Sequence, residues 1–159
     1  MKHIELVRWL RVVLIIAMLL GLFFGGFIIP ALGHEAVAQN PELAFMFWPC
    51  LIFFWITFIP YYLVLGICWG IASEIAADRS FSEKNAHALK IVSRLFLSEC
   101  GLYFAGMTLL FIVDVMHISL LLFAMLVIFC GATLALVSVL ASRLVLKAWE
   151  MKQDQDLTI

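Results

Sequence analysis

Four stretches of this chain are too long and too apolar to be at home in water. Residues 12–32, 43–73 and 118–142 carry no charge, and residues 95–113 carry only Glu99. At 1.5 Å per helical residue, 21 residues reach about 31 Å, enough to cross the hydrocarbon core of a bilayer. Apolar residues make up 65% of the chain and charged residues 13%. A soluble domain is nearer half and a quarter, so the surplus needs lipid around it. The expected fold is all-α: one integral membrane domain over residues 1–159, with spans at about 12–32, 46–73, 95–113 and 118–142.

The ends of the runs refine these spans. Residues 1–11 hold Lys2, His3, Glu5, Arg8 and Arg11 and read as an amphipathic lead-in, with Trp9 suited to the interface. Ala36-Val37-Ala38 has the form of a signal-peptide cleavage site, but the preceding apolar run exceeds the usual 7–15 residues, so it reads as an uncleaved span. Residues 33–42 read as a short polar loop. The second run is about 46 Å long as a helix, too long to cross upright, and Pro49 and Pro60 allow a late start or a kink. Trp48 and Trp69 lie about 31 Å apart on such a helix and suit the two interfacial belts. Residues 114–117 read as a tight turn.

The ten basic residues fix a threading. Lys2, Arg8 and Arg11 precede the first span, Arg79, Lys84, Lys90 and Arg94 lie between the second and third, and Arg143, Lys147 and Lys152 follow the fourth. The first and third connections have none. The positive-inside rule then places both termini, the loop 74–94 and the tail 143–159 in the cytoplasm. The chain becomes a four-helix bundle of two hairpins, joined on the cytoplasmic face.

The joining loop carries the best helix-start signal. Ser80-x-x-Glu83 is a capping-box pattern, and Ser82-x-x-Asn85 offers a competing start two residues later. No proline follows before Val113, so the third helix can begin in the cytoplasm and run into the membrane. Glu83, His87, Lys90 and Arg94 share one face of it; Asn85, Leu89, Val92, Phe96, Glu99, Tyr103 and Gly106 share the other. The first row suits water and headgroups, the second the bundle interior.

Glu99 is the one ionisable residue inside a span. Such a residue is expensive unless paired or hydrated, which makes it a candidate proton or cation site. The competing reading is a structural carboxyl, hydrogen-bonded to Ser98, Tyr103 or another helix. Its place five residues beyond Arg94, near the cytoplasmic edge, favours that structural role. Asp114 and His117 fall in the outer turn. His3, His34, His87 and His117 do not pair at mid-membrane depth, as haem ligation between helices would need. Cys50, Cys68, Cys100 and Cys130 lie in apolar runs without metal-ligand spacing and read as small packing residues. Gly21-x-x-x-Gly25 and Gly66-x-x-x-Gly70 permit close helix contact. There is no nucleotide-binding turn, catalytic triad or paired-carboxylate site, so no enzyme and no cofactor is expected. The net charge of −1 gives no attraction to nucleic acid.

Two motifs together resemble a known family. Phe81-Ser82-Glu83-Lys84-Asn85 is similar to an F-S-x-x-N loop motif, and Asp156-Leu157-Thr158-Ile159 to a D-L-T-I ending. Both occur in small bacterial four-helix membrane proteins of unknown function. The resemblance implies a cytoplasmic (inner) membrane location and, from the usual gene neighbourhood, a helix-turn-helix regulator as a cytoplasmic partner. It carries no established activity.

Two functions are therefore expected in competition. One is a non-enzymatic membrane protein that presents Phe81, Ser82, Asn85 and the tail to a protein partner. The other is a small homo-oligomeric transporter or channel using Glu99 with Tyr103, since four helices alone make a slender pathway. A terminal carboxylate can be held by free backbone N–H groups at a helix start. Asp156, Leu157, Thr158 and Ile159 are accordingly expected to dock on the loop at residues 80–85, in the same subunit or a neighbour, and to share one cytoplasmic-facing site with Glu99. Deleting those four residues should lower the thermal midpoint in detergent; an unchanged midpoint and oligomeric state would argue against docking.

Overall fold

The computed structural model describes the backbone of residues 2–156 and the side chains of residues 5–154. Its elements are α1 (Lys2–Phe23), a π-turn (Phe24–Ile28), α2 (Ile29–Gln39), a 3-10 segment (Pro41–Met46), α3 (Phe47–Ala76), α4 (Glu83–Ile112) and α5 (Ile118–Asp156). Among the described residues, four helical segments are long and apolar enough to cross a membrane: Glu5–Gln39, Pro41–Ala76, Glu83–Ile112 and Ile118–Asp154.

The first segment departs from the sequence reading. Residues 33–39, expected as loop, are helical, and the chain breaks only at Asn40. His34, Glu35 and Gln39 are polar, but they stay exposed on the helix, and Gln39 Nε2 donates to Glu35 Oε1 one turn back at 3.4 Å. Pro41 ends the helix by forcing its predecessor out of the helical region: Asn40 sits at φ −135° and ψ 79°. The Asn40 side chain and backbone N–H both donate to the Ala36 carbonyl. Upstream, Pro30 supplies no N–H to the preceding turn, and the chain widens there into the π-turn, closed by the Ile29 N–H on the Phe24 carbonyl.

The packing alternates glycines with rings. On α1, Gly21 lies under Tyr61 and Tyr62; in the π-turn, Gly25 lies under Phe58; on α2, Gly33 lies under Phe47. Tyr61 donates to the Ala17 carbonyl at 2.7 Å, Tyr62 to Met18 at 3.3 Å, and Trp55 Nε1 to Gly25 at 3.1 Å. These pairs give α1–α2 and α3 an antiparallel register in which residue numbers sum to about 80. At one end of this seam the Arg11 guanidinium stands 5.5 Å from the Trp69 ring centre, a cation–π distance. Phe53 covers Gly106 and meets Tyr103 edge-on at 5.8 Å, joining α3 to α4.

The α4–α5 contact is made by small residues. Ala86 and Ser93 are buried on α4, and Ala124, Gly131 and Ala135 on α5. Ser142 Oγ donates to the Ala86 carbonyl at 2.6 Å, and Cys100 Sγ lies 3.4 Å from the Ile128 carbonyl. The two helices therefore run antiparallel, with Asp114 at φ 59° in the turn between them. The two faces expected for α4 are both present. Glu83, His87, Lys90 and Arg94 are exposed, while Asn85, Val92, Tyr103 and Gly106 are buried and Leu89, Phe96 and Glu99 are half-buried.

A Cβ on Gly106 would lie 2.6 Å from Phe53 Cζ, whereas one on Gly101 would meet nothing within 4 Å. Gly106→Val should therefore cost about 1–3 kcal/mol through overpacking. Gly101→Ala should be neutral or stabilising by up to about 1 kcal/mol, since alanine is the better helix former. Thermal unfolding of the two variants in detergent checks this contrast.

Candidate functional site

The candidate residues fall in two places. The first is the loop between α3 and α4. Ser82 is the N-cap of α4, its Oγ accepting from the Asn85 backbone N–H at 3.2 Å. Of the two starts offered by the sequence, the second is the one used. Asn85 then turns its side chain back: Nδ2 donates to the Arg79 carbonyl at 3.2 Å and to Ser80 at 3.1 Å. At 2% exposure, it is the clasp that closes the loop. Asp78 reverses the chain at φ 59°. Glu74 ties both sides together, bonded to Arg79 at 3.0 Å and Lys84 at 2.8 Å. Both cations are largely exposed, so water screens each pair and neither adds much to stability. Phe81 is held outward at 57% exposure.

The second place is a cavity of about 320 Å³ lined by Glu99, Thr57, Tyr61, Tyr103, Phe54, Phe58 and Phe123, with Leu20, Gly21, Phe24 and Ile29 completing the wall. All four long helical segments contribute. Glu99 Oε2 is buried there and has no hydrogen-bond partner. The expected local partner is engaged elsewhere: Ser98 Oγ donates to the Leu95 carbonyl at 2.7 Å. Thr57 Oγ1 likewise donates to Phe54, at 2.8 Å.

The Lys84–Glu74 pair sets the start of α4 level with the end of α3. Glu99 is then 15 residues down α4, roughly 22 Å from that level. It shares its cavity with Thr57, Phe58 and Tyr61, which lie midway between Trp48 and Trp69 on α3. Arg94, five residues earlier on α4, keeps its side chain exposed.

The loop and Glu99 are therefore separate sites. Asn85 and Glu99 share a helical row but stand roughly 21 Å apart along it. Asp156 is the last described residue, at the end of α5, 14 residues beyond Ser142 and so roughly 21 Å past the level of Ala86. Leu157, Thr158 and Ile159 lie outside the described residues, and the docking expected of them falls there too. Sequence reasoning placed Tyr103 beside Glu99 but missed Thr57, Phe54, Phe58, Tyr61 and Phe123. Only the register between helices brings these together; no motif marks them.

These features define a multi-pass helical membrane protein with a half-buried carboxyl group between its helices. Residues 31–159 match the family model described as "Protein of unknown function (DUF2975)", and the chain belongs to that family. It is also similar to the uncharacterized membrane protein YoaS of Bacillus subtilis (strain 168), with 22% identity over 135 residues covering 84% of each chain. No solved structure matches.

If Asn85 is the clasp, Asn85→Ala should destabilise the protein by about 1–3 kcal/mol, because two carbonyls lose their donor. Ser82→Ala should cost about 1 kcal/mol as a lost cap. Phe81→Ser should change stability by less than about 0.5 kcal/mol. Chemical denaturation of the three variants in mild detergent measures the order.

Proposed function

We propose that this is a non-enzymatic membrane protein whose working centre is Glu99, a proton or cation site halfway across the bilayer in a small transporter or channel. The observation that carries the reading is the buried Glu99 Oε2 without a partner, facing a cavity made by every helical segment. An ionised carboxylate left alone in such surroundings costs several kcal/mol. The group must therefore hold a proton or sit against a cation, and exchanging one for the other is the chemistry it offers. In this reading both termini and the loop 74–94 face the bacterial cytoplasm, following the ten basic residues, and the helices form two hairpins in the inner membrane. The unit functions as a homo-oligomer, because four helices enclose only a narrow path.

A second reading rests on Phe81. A large apolar side chain exposed on a loop held by Asn85 and Glu74 is a fixed anchor for a partner. The partner would be a cytoplasmic protein, with a helix-turn-helix regulator as the candidate from the family resemblance.

Reconstitution in liposomes separates the two. When a gradient of potassium or of a quaternary ammonium is imposed across the liposomes, internal pH should change with the wild-type protein for at least one of the two and stay flat with Glu99→Gln, while Phe81→Ser behaves as wild type. Equal flux from wild type and Glu99→Gln would overturn the transport reading. Partner capture from cells that fails with Phe81→Ser yet survives Glu99→Gln would favour the second.

A further inference from the structure

The lining of the Glu99 cavity narrows the kind of cation it can take. Hard inorganic ions are held by shells of six to eight oxygens, often backbone carbonyls. Here the side-chain oxygens are fewer: beside the Glu99 carboxyl, the wall offers the hydroxyls of Thr57, Tyr61 and Tyr103. Among the described residues no group of three His, Cys, Asp or Glu side chains stands together as a metal cluster.

The wall is aromatic instead. Six rings line the cavity around one carboxyl: Phe24, Phe54, Phe58, Tyr61, Tyr103 and Phe123. Phe123 of α5 packs against Phe54 of α3 and Tyr103 of α4, with ring centres 6.5 and 6.4 Å apart, and Phe58 meets Tyr61 edge-on at 6.0 Å. Several π-faces around a single negative charge are what an organic ammonium group requires: the carboxylate neutralises it and the rings replace its weakly held water. A volume of about 320 Å³ sits at the small end of ligand pockets, the size of an amine carrying a few alkyl groups or one ring.

The hollow is itself open along the apolar side of the protein. Leu20, Phe24 and Phe123 of its wall are 50%, 49% and 47% exposed, so a ligand can enter it sideways from lipid.

We infer that the cation exchanged at Glu99 is a small lipophilic organic ammonium, held by the aromatic side chains around the carboxyl and reaching it sideways from the lipid. The inference rests on Glu99 being an ion site and adds the ligand class.

The test uses the full-length protein in mild detergent, labelled with dicyclohexylcarbodiimide, which attacks protonated carboxyls in apolar surroundings. Intact-mass spectrometry should show one adduct that is missing from Glu99→Gln. Benzyltrimethylammonium should suppress the adduct, while sodium or potassium chloride at the same concentration should not. In Phe123→Leu the adduct should still form, but protection should need about ten-fold more ammonium, because a ring of the shell is gone. Labelling at Glu99 that the ammonium blocks no better than sodium does would overturn the ligand class and leave the ion site standing. An absent adduct, or one undiminished in Glu99→Gln, would overturn both.

Discussion

Inside a bilayer there is no water to satisfy a polar group, and the rest of this structure follows from that one constraint. The backbone answers it by staying helical from residue 2 to 39 and again through α3, α4 and α5. Hydroxyls answer it locally: Thr108, Thr133 and Ser138 each donate to the carbonyl four residues back. Where proline disturbs the ladder above Pro30, the chain widens into a π-turn and the Trp55 indole supplies a donor to Gly25. Among the described residues, two buried side-chain atoms are left without a partner, Arg11 Nε and Glu99 Oε2, and the functional reading grows from the second.

The same constraint shapes the packing. Lipid tails are as apolar as leucine, so burial of apolar surface does not by itself hold helices together within the membrane. Close contact and interhelical hydrogen bonds do. Gly21, Gly25 and Gly33 let the rings of α3 lie against the first helical segment. Tyr61, Tyr62 and Trp55 then reach its carbonyls. Between α4 and α5 the contact is made by Ala, Ser, Cys and Gly, and it brings Ser142 to Ala86. Rings on one seam and small residues on the other converge at the level of Glu99. There the rings outnumber the oxygens, so the cavity prefers a soft organic cation to a hard one.

Much of this was legible in the sequence. The long uncharged runs gave four spanning helices, because length and charge alone decide that question in lipid. Ser82 and Asn85 could be read as a helix start, since capping depends on residues three apart. The two rows of α4 followed from the helical repeat. The level of Glu99 could not be read, because it depends on how α4 is set against α3, and the Lys84–Glu74 contact and the Phe53–Tyr103 pair decide that. Nor could the helix through residues 33–39, since polar residues are compatible with a helix that leaves the apolar layer. The aromatic shell is drawn from four segments far apart in the chain, with no spacing to announce it.

The central claim is that Glu99 keeps a buried oxygen, Oε2, without a hydrogen-bond partner. Infrared difference spectroscopy of the protein in lipid, wild type against Glu99→Gln, tests it most directly. The account predicts a carboxylic-acid carbonyl band at the high-frequency position of a carboxyl free of hydrogen bonds, absent from the variant. A band at the lower position of a hydrogen-bonded acid, or only the bands of a hydrated carboxylate, would contradict it.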